Sequence, residues 1–465
     1  MRCLPPLAVA VLAAVSAVRA QAPADEAVRV RAIFEEAIVR GRAYEELRTL
    51  VTNHPGRLAG SKNLAGAVVW AEGALQRAGA DRVYRQDVMV PHWERGAKET
   101  VTLHAGGTAQ PLAAFALGGS VPTPAGGIEA GVVEVKSLEE IAALSREQVA
   151  GKIVFFNRPM DPAIIRPGTA YSTGVGVRSR GPSAAARLGA VAVIVRSMTH
   201  ALDDLPHTGG TTYAPDAPRI PAAAISTLAA EKLSAALAAA KNSGGAAVRV
   251  ALTINSRWLP DAPSHNVLGE IRGTEFPERI ILVGGHLDSW DVSPGAHDNG
   301  AGVVQSIEVL RIFRALGLRP RHTLRCVLFT NEENGLRGSL AYAAAVRERK
   351  ERHLIAIETD NGGFQPRGFN LGSTQGDLHE RATARWAPLF APYGLNTFVK
   401  GTGGADVGPL LAQGIAVAGL TPDSQRYFDY HHTTADSIDK VHPRELHLGA
   451  GALAALVWLV DTQGL

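Results

Sequence analysis

Cysteine is almost missing from this chain: 465 residues hold two, Cys3 and Cys326. That count excludes a disulfide framework and a cysteine-ligated zinc site. Charge of one sign is scarce as well, with a net charge of +3 and 20% charged residues, so no strong field favours nucleic acid or a membrane surface. Long apolar runs are confined to the two ends. The opening MRCLPPLAVAVLAAVSAVRA carries Arg2, an apolar stretch and a small-residue pattern closing on Ala20. It predicts a secretory signal over 1–20 and a secreted or periplasmic protein. The stretch is too short for a membrane anchor, and its removal leaves Cys326 without a partner. Near the other end LHLGAGALAALVWLV reads as a packed helix rather than a membrane span. There is no internal repeat, and the length predicts two domains rather than one core.

What is present is a set of polar clusters placed after apolar strands. RIILVGGHLDSWDVSPGAHDNGAG, residues 279–302, begins as a buried strand that stops at Gly284 and Gly285. His286 and Asp288 follow two apart, which points both side chains the same way on an extended backbone. Asp298 then sits in a Gly/Asn-rich loop before a segment with helical apolar spacing. A second strand, HTLRCVLFT, leads to Glu332 and Glu333, and a third, HLIAIETD, ends on Asp360. His431 and His432 precede the C-terminal helix. Open α/β sheets gather their sites at the carboxyl ends of strands. Histidine, aspartate and glutamate without cysteine are ligands for zinc or a similar divalent ion in a hydrolytic site.

HLDSWD, GAHDNGAG, NEENGLRGS, ETDNGG and YHHTTADS resemble, in order and spacing, the metal-binding signature of the M28 family of two-zinc peptidases, its carboxypeptidase-like branch above all. The resemblance covers about residues 30–465. It implies an α/β fold with a mixed, largely parallel central sheet flanked by helices. It implies two Zn2+ per chain, with Asp298 bridging, His286 and Asp360 completing one position, and Glu333 and His432 the other. Glu332 becomes the general base that takes a proton from the shared water, and Asp288 supports His286 from behind. The Asp298–Asn299 peptide is expected to be cis, as relatives hold it. His431 stands where several relatives carry a tyrosine. Adjacent side chains on an extended segment diverge, so His431 is expected beside the metals without ligating them, donating an N–H to the oxyanion; the blander alternative is a packed loop histidine. Short peptides or dipeptides are the expected substrates, and a homodimer is an open option. Aminopeptidase action on longer peptides, a one-zinc glutaminyl cyclase and a non-catalytic receptor-like module are the competing readings. Arg337, Arg426 and Asp406 are the candidates for recognising a peptide end.

Before the site, 25–51 reads as a helix broken near Gly41, 63–78 as a second helix, and DRVYRQDVMVPHW as an edge strand. HPGRLAGS between the helices resembles the family's opening loop. These segments place 21–105 in the catalytic domain. Glycine, proline and short β-rich runs then dominate, and 106–255 resembles an inserted protease-associated domain, a small β-sandwich or barrel with helical elements between strands that shapes one wall of the cleft. The catalytic domain resumes over 256–465.

Overall fold

A computed structural model describes residues 25–243, 247–374 and 376–465; the expected signal over 1–20 lies outside them. The catalytic sheet has eight strands: β1 (Arg82–Glu94), β2 (Arg257–Ile271), β3 (Phe276–His286), β4 (His322–Phe329), β5 (Arg352–Glu358), β6 (Pro366–Gly372), β7 (Thr397–Lys400) and β8 (Ala416–Pro422). Their order is β1-β2-β4-β3-β5-β8-β6-β7. β4, β3, β5 and β8 run parallel, while β1, β2 and β6 enter antiparallel to their inner neighbours. All eight residues of β4 are buried, as expected for a strand covered on both faces. Alternation divides β3: Ile281 and Val283 face one layer of helices, Ile280 and Leu282 the other.

The first layer includes Ala301–Ala315 and Pro443–Gln463, whose apolar residues join the largest core cluster. Pro443–Gln463 is long and apolar enough to cross a membrane, yet 72% of its most apolar window is buried within the protein. The second layer is Arg337–Arg349, with Tyr342, Ala343 and Val346 turned inward. The expected helices are found over 25–40, Ala43–Asn53 and Lys62–Arg77. Ser61 caps the last by accepting the Leu64 N–H at 3.1 Å.

A second eight-stranded sheet is built from residues 100–253, and none of its strands pairs with the catalytic sheet. Thr100–Ala105 pairs with Arg249–Thr253, which puts the start of this unit at about 100 rather than 106. It is one open sheet instead of the expected sandwich or barrel. Ile128–Val135, Ile153–Phe156, Ala192–Arg196 and Ala222–Ile225 run parallel, and the helices that must connect parallel strands cover both faces. Ile153 and Phe155 pack on Thr227–Ser243, while Val154 and Phe156 pack on Pro167–Ser179 and on Phe364, Tyr427 and Phe428 of the catalytic part.

Candidate metal centre

The parallel strands bring their carboxyl ends to one edge. His286 ends β3, Glu332 and Glu333 lie just past β4, and Asp360 lies two residues past β5. Asp298 arrives from the loop before Ala301–Ala315. Two close approaches make that loop possible: Gly295 takes φ +67, and a Cβ on Gly302 would meet the Thr359 carbonyl and the Asn299 side chain. The Asp298–Asn299 peptide is cis.

Three histidines approach Asp298, and two of them bring Asp360 and Glu333 alongside it. His286 Nε2 lies 3.3 Å from Asp298 Oδ1 and 3.4 Å from Asp360 Oδ1. His432 Nε2 lies 3.2 Å from Asp298 Oδ2 and 3.2 Å from Glu333 Oε2. His431 Nε2 is 3.6 Å from the same Asp298 oxygen. Both outer histidines have a fixed tautomer: Nδ1 of His286 donates to the Asp288 carbonyl at 3.1 Å, and Nδ1 of His432 to the Thr208 carbonyl at 3.2 Å. Each ring therefore turns its Nε2 toward the carboxylates. His286 Nε2, Asp298 Oδ2 and Asp360 Oδ1 are buried without a hydrogen-bond partner. Acids crowded around two buried Nε2 atoms, with no other partner for these atoms among the described residues, call for positive charge between them, a proton on the ring or a metal ion in its place. Two overlapping donor sets, His286–Asp298–Asp360 and Asp298–His431–His432, lie within metal-binding reach.

Burial, reinforced by Asp360, Glu333 and Asp298 against the pull of His286, pushes the Glu332 carboxyl well above its usual range. Burial and then Asp298 push Glu333 up to about 7. Burial works against charge on His432, but Glu333 and Asp298 outweigh it and hold that ring up to about 9. Burial and the neighbouring His432 keep His431 well below the ordinary histidine value, a neutral ring. So dense a set of buried acids calls for positive charge among them.

Asp288 is buried, and its carboxylate accepts the Glu332 and Glu333 N–H groups at 3.0 and 3.3 Å. It therefore positions those two acids as well as standing behind His286. The two adjacent histidines do not diverge as expected. His432 has φ 64, which turns the chain out of extended geometry, and the rings stack with centroids 3.4 Å apart. Of the three candidates for end recognition, Arg337 is paired with Asp261 on the surface. Arg426 is exposed over the Phe364 ring, and Asp406 is buried beneath the site.

Three residues that build the site were not singled out in the sequence. Arg57, fully buried, donates to the carbonyls of Leu287, Pro294 and Gly295 at 2.6, 2.7 and 2.9 Å. Asp436 accepts the His297 and Asp298 N–H groups at 2.6 and 3.0 Å. Thr208, from the inserted unit, holds His432 through its carbonyl and donates its own N–H to the His432 carbonyl at 3.1 Å. Arg57 and Asp436 lie inside motifs already noted, HPGRLAGS and YHHTTADS, which was the available signal; Thr208 had none.

The sequence pattern of peptidase family M28 matches residues 266–457. Carboxypeptidase Q of Bos taurus is 35% identical over 421 residues, which span 90% of this chain and 85% of that protein. The chain belongs to peptidase family M28. Carboxypeptidase Q of Xenopus laevis is 36% identical, with 90% of this chain and 85% of that protein covered. Among solved structures, an M28 peptidase precursor from Shewanella amazonensis SB2B superposes with a TM-score of 0.87 at 33% identity, over 95% of this chain and 97% of that one. A zinc aminopeptidase from Bacillus subtilis shares the fold, with a TM-score of 0.64 at 20% identity over 91% and 95% of the two chains. The M28 assignment makes the chain a metallopeptidase, and the largely parallel sheet expected from its motifs is the fold observed.

Proposed function

We propose that the chain is a co-catalytic two-zinc exopeptidase of short peptides or dipeptides. His286, Asp298 and Asp360 would hold one ion, and Asp298, Glu333 and His432 the other. The observation that carries this is the set of buried donor atoms around Asp298 that have no partner among the described residues, with both outer imidazoles anchored through Nδ1 so that Nε2 faces the site. Zinc there would supply Lewis acidity for the scissile carbonyl and for a water near neutral pH.

The chain's own groups do the rest. Glu332, held by Asp288 through its backbone N–H, takes the proton of the attacking water and returns it to the leaving amine. His431 is boxed by Tyr171, Tyr427 and Phe428 at centroid distances of 5.1–5.2 Å. Neutral and so held, it donates an N–H to the oxyanion. The unit over 100–253 serves as the protease-associated wall of the cleft. Similarity to carboxypeptidase Q over most of both chains supports peptide-end trimming.

The test is elemental analysis together with turnover of a free dipeptide. Two zinc ions per chain are expected, and Glu332→Gln should keep both while losing about 10²- to 10⁴-fold in kcat. One ion per chain, or near-normal turnover in the loaded variant, defeats the assignment.

A further inference from the structure

Arg178 lies in the inserted unit on helix Pro167–Ser179 and is 8% exposed. Its Nε has no hydrogen-bond partner, and no carboxylate pairs with it among the described residues. Its Nη1 reaches the Thr208 carbonyl at 3.5 Å, the same oxygen that takes Nδ1 of His432 at 3.2 Å. One carbonyl therefore separates a buried guanidinium from a metal ligand. Tyr171, two turns earlier on that helix, lies with its ring 5.4 Å from the guanidinium and edge-on to His431 at 5.2 Å. His207 lies beside them, 3% exposed, with no side-chain partner for either ring nitrogen among the described residues. Its ring is kept neutral by burial and by the cationic neighbours His432 and Arg178.

A buried cation without a counter-charge is costly unless an anion arrives to meet it. Arg57 is engaged on three loop carbonyls and Arg337 on Asp261, while Arg426, over Phe364, is exposed and carries no such burial cost. The carboxylate of a C-terminal residue lies about 4 Å from the scissile carbonyl, and a charge-assisted N–H···O bond adds about 2.8 Å. That reach is comparable to the carbonyl and imidazole ring that stand between this guanidinium and the metal centre.

Resting on the peptidase reading above, we propose that Arg178 receives the free terminal carboxylate of the substrate, with Tyr171 holding the guanidinium in place. The inserted unit then sets which end is trimmed, and the enzyme splits free dipeptides or removes a C-terminal residue. A blocked C terminus leaves the arginine buried and unpaired.

The experiment compares kcat/KM for a free dipeptide and for its C-terminal amide. The wild-type enzyme should favour the acid by about 100-fold. Arg178→Met should reduce that preference by about 10- to 100-fold, mainly through KM for the acid, with zinc content unchanged. Arg178→Lys, which keeps a charge but no planar fork, should give an intermediate preference, and it serves if the Met variant does not fold. A Lys or Met variant with the wild-type preference and unchanged KM overturns the assignment. So does a wild-type enzyme that cleaves acid and amide alike, which would leave the peptidase reading standing. A zinc-loaded wild type inert on every peptide overturns both.

Discussion

His431 and His432 share a stack and a partner, yet they differ in one contact. His432 Nε2 reaches both Asp298 and Glu333 at 3.2 Å, whereas His431 approaches Asp298 alone at 3.6 Å. His432→Phe should therefore release a metal. His431→Phe should keep metal content and lower kcat by about 10²-fold. Elemental analysis paired with turnover separates them, and the opposite pattern would move the ligand role to His431. The sequence distinguished the two through the motif alone. The extended-chain argument failed because a positive φ on a histidine leaves no trace in residue order. Asp288 shows a similar limit: a position two residues past His286 indicated support for that ring, but the two amides it accepts belong to another strand's end.

Between residue and fold stands the loop over 287–298, which carries Asp298 and has almost no regular structure of its own. Its shape depends on Arg57 from one side and Asp436 from the other. Arg57→Met should leave the carbonyls of Leu287, Pro294 and Gly295 unpaired in a buried setting, destabilising by about 3 kcal/mol or more. Denaturant unfolding of the metal-free protein measures this, and a loss under about 1 kcal/mol would show that the loop holds itself. Strands β3 and β4 were legible in the residue order because a short continuous apolar run closed by turn-forming or polar residues is the pattern of a strand covered on both faces. The loop's support was not legible, since its partners lie more than 130 residues away along the chain.

At the scale of the whole molecule, the two sheets meet at the metal centre. Thr208 clamps His432, and Trp290, whose N–H holds Glu333, packs against His432 at 5.6 Å. The ends of the inserted unit lie side by side, with Asn255 Nδ2 donating to the Ala97 carbonyl at 3.3 Å, so a short linker can replace it. Excision of 100–253 should leave a folded catalytic sheet by circular dichroism, with zinc affinity reduced about 10- to 100-fold through loss of the His432 support. Unchanged affinity in chelator competition would return the insert to the role of a passive wall. The sequence by itself determined the family, the metallopeptidase class and the α/β fold, through ordered motifs placed after apolar strands. Those features are local: apolar periodicity, breakers and residue type specify them within a few positions. Only the tertiary structure brought Thr208, from the unit of the second sheet, onto His432. Contacts such as Thr208 to His432, and a buried Arg178 with no carboxylate partner among the described residues, arise where the two sheets' units pack together, and no local pattern encodes which distant carbonyl or cation that packing brings to the site.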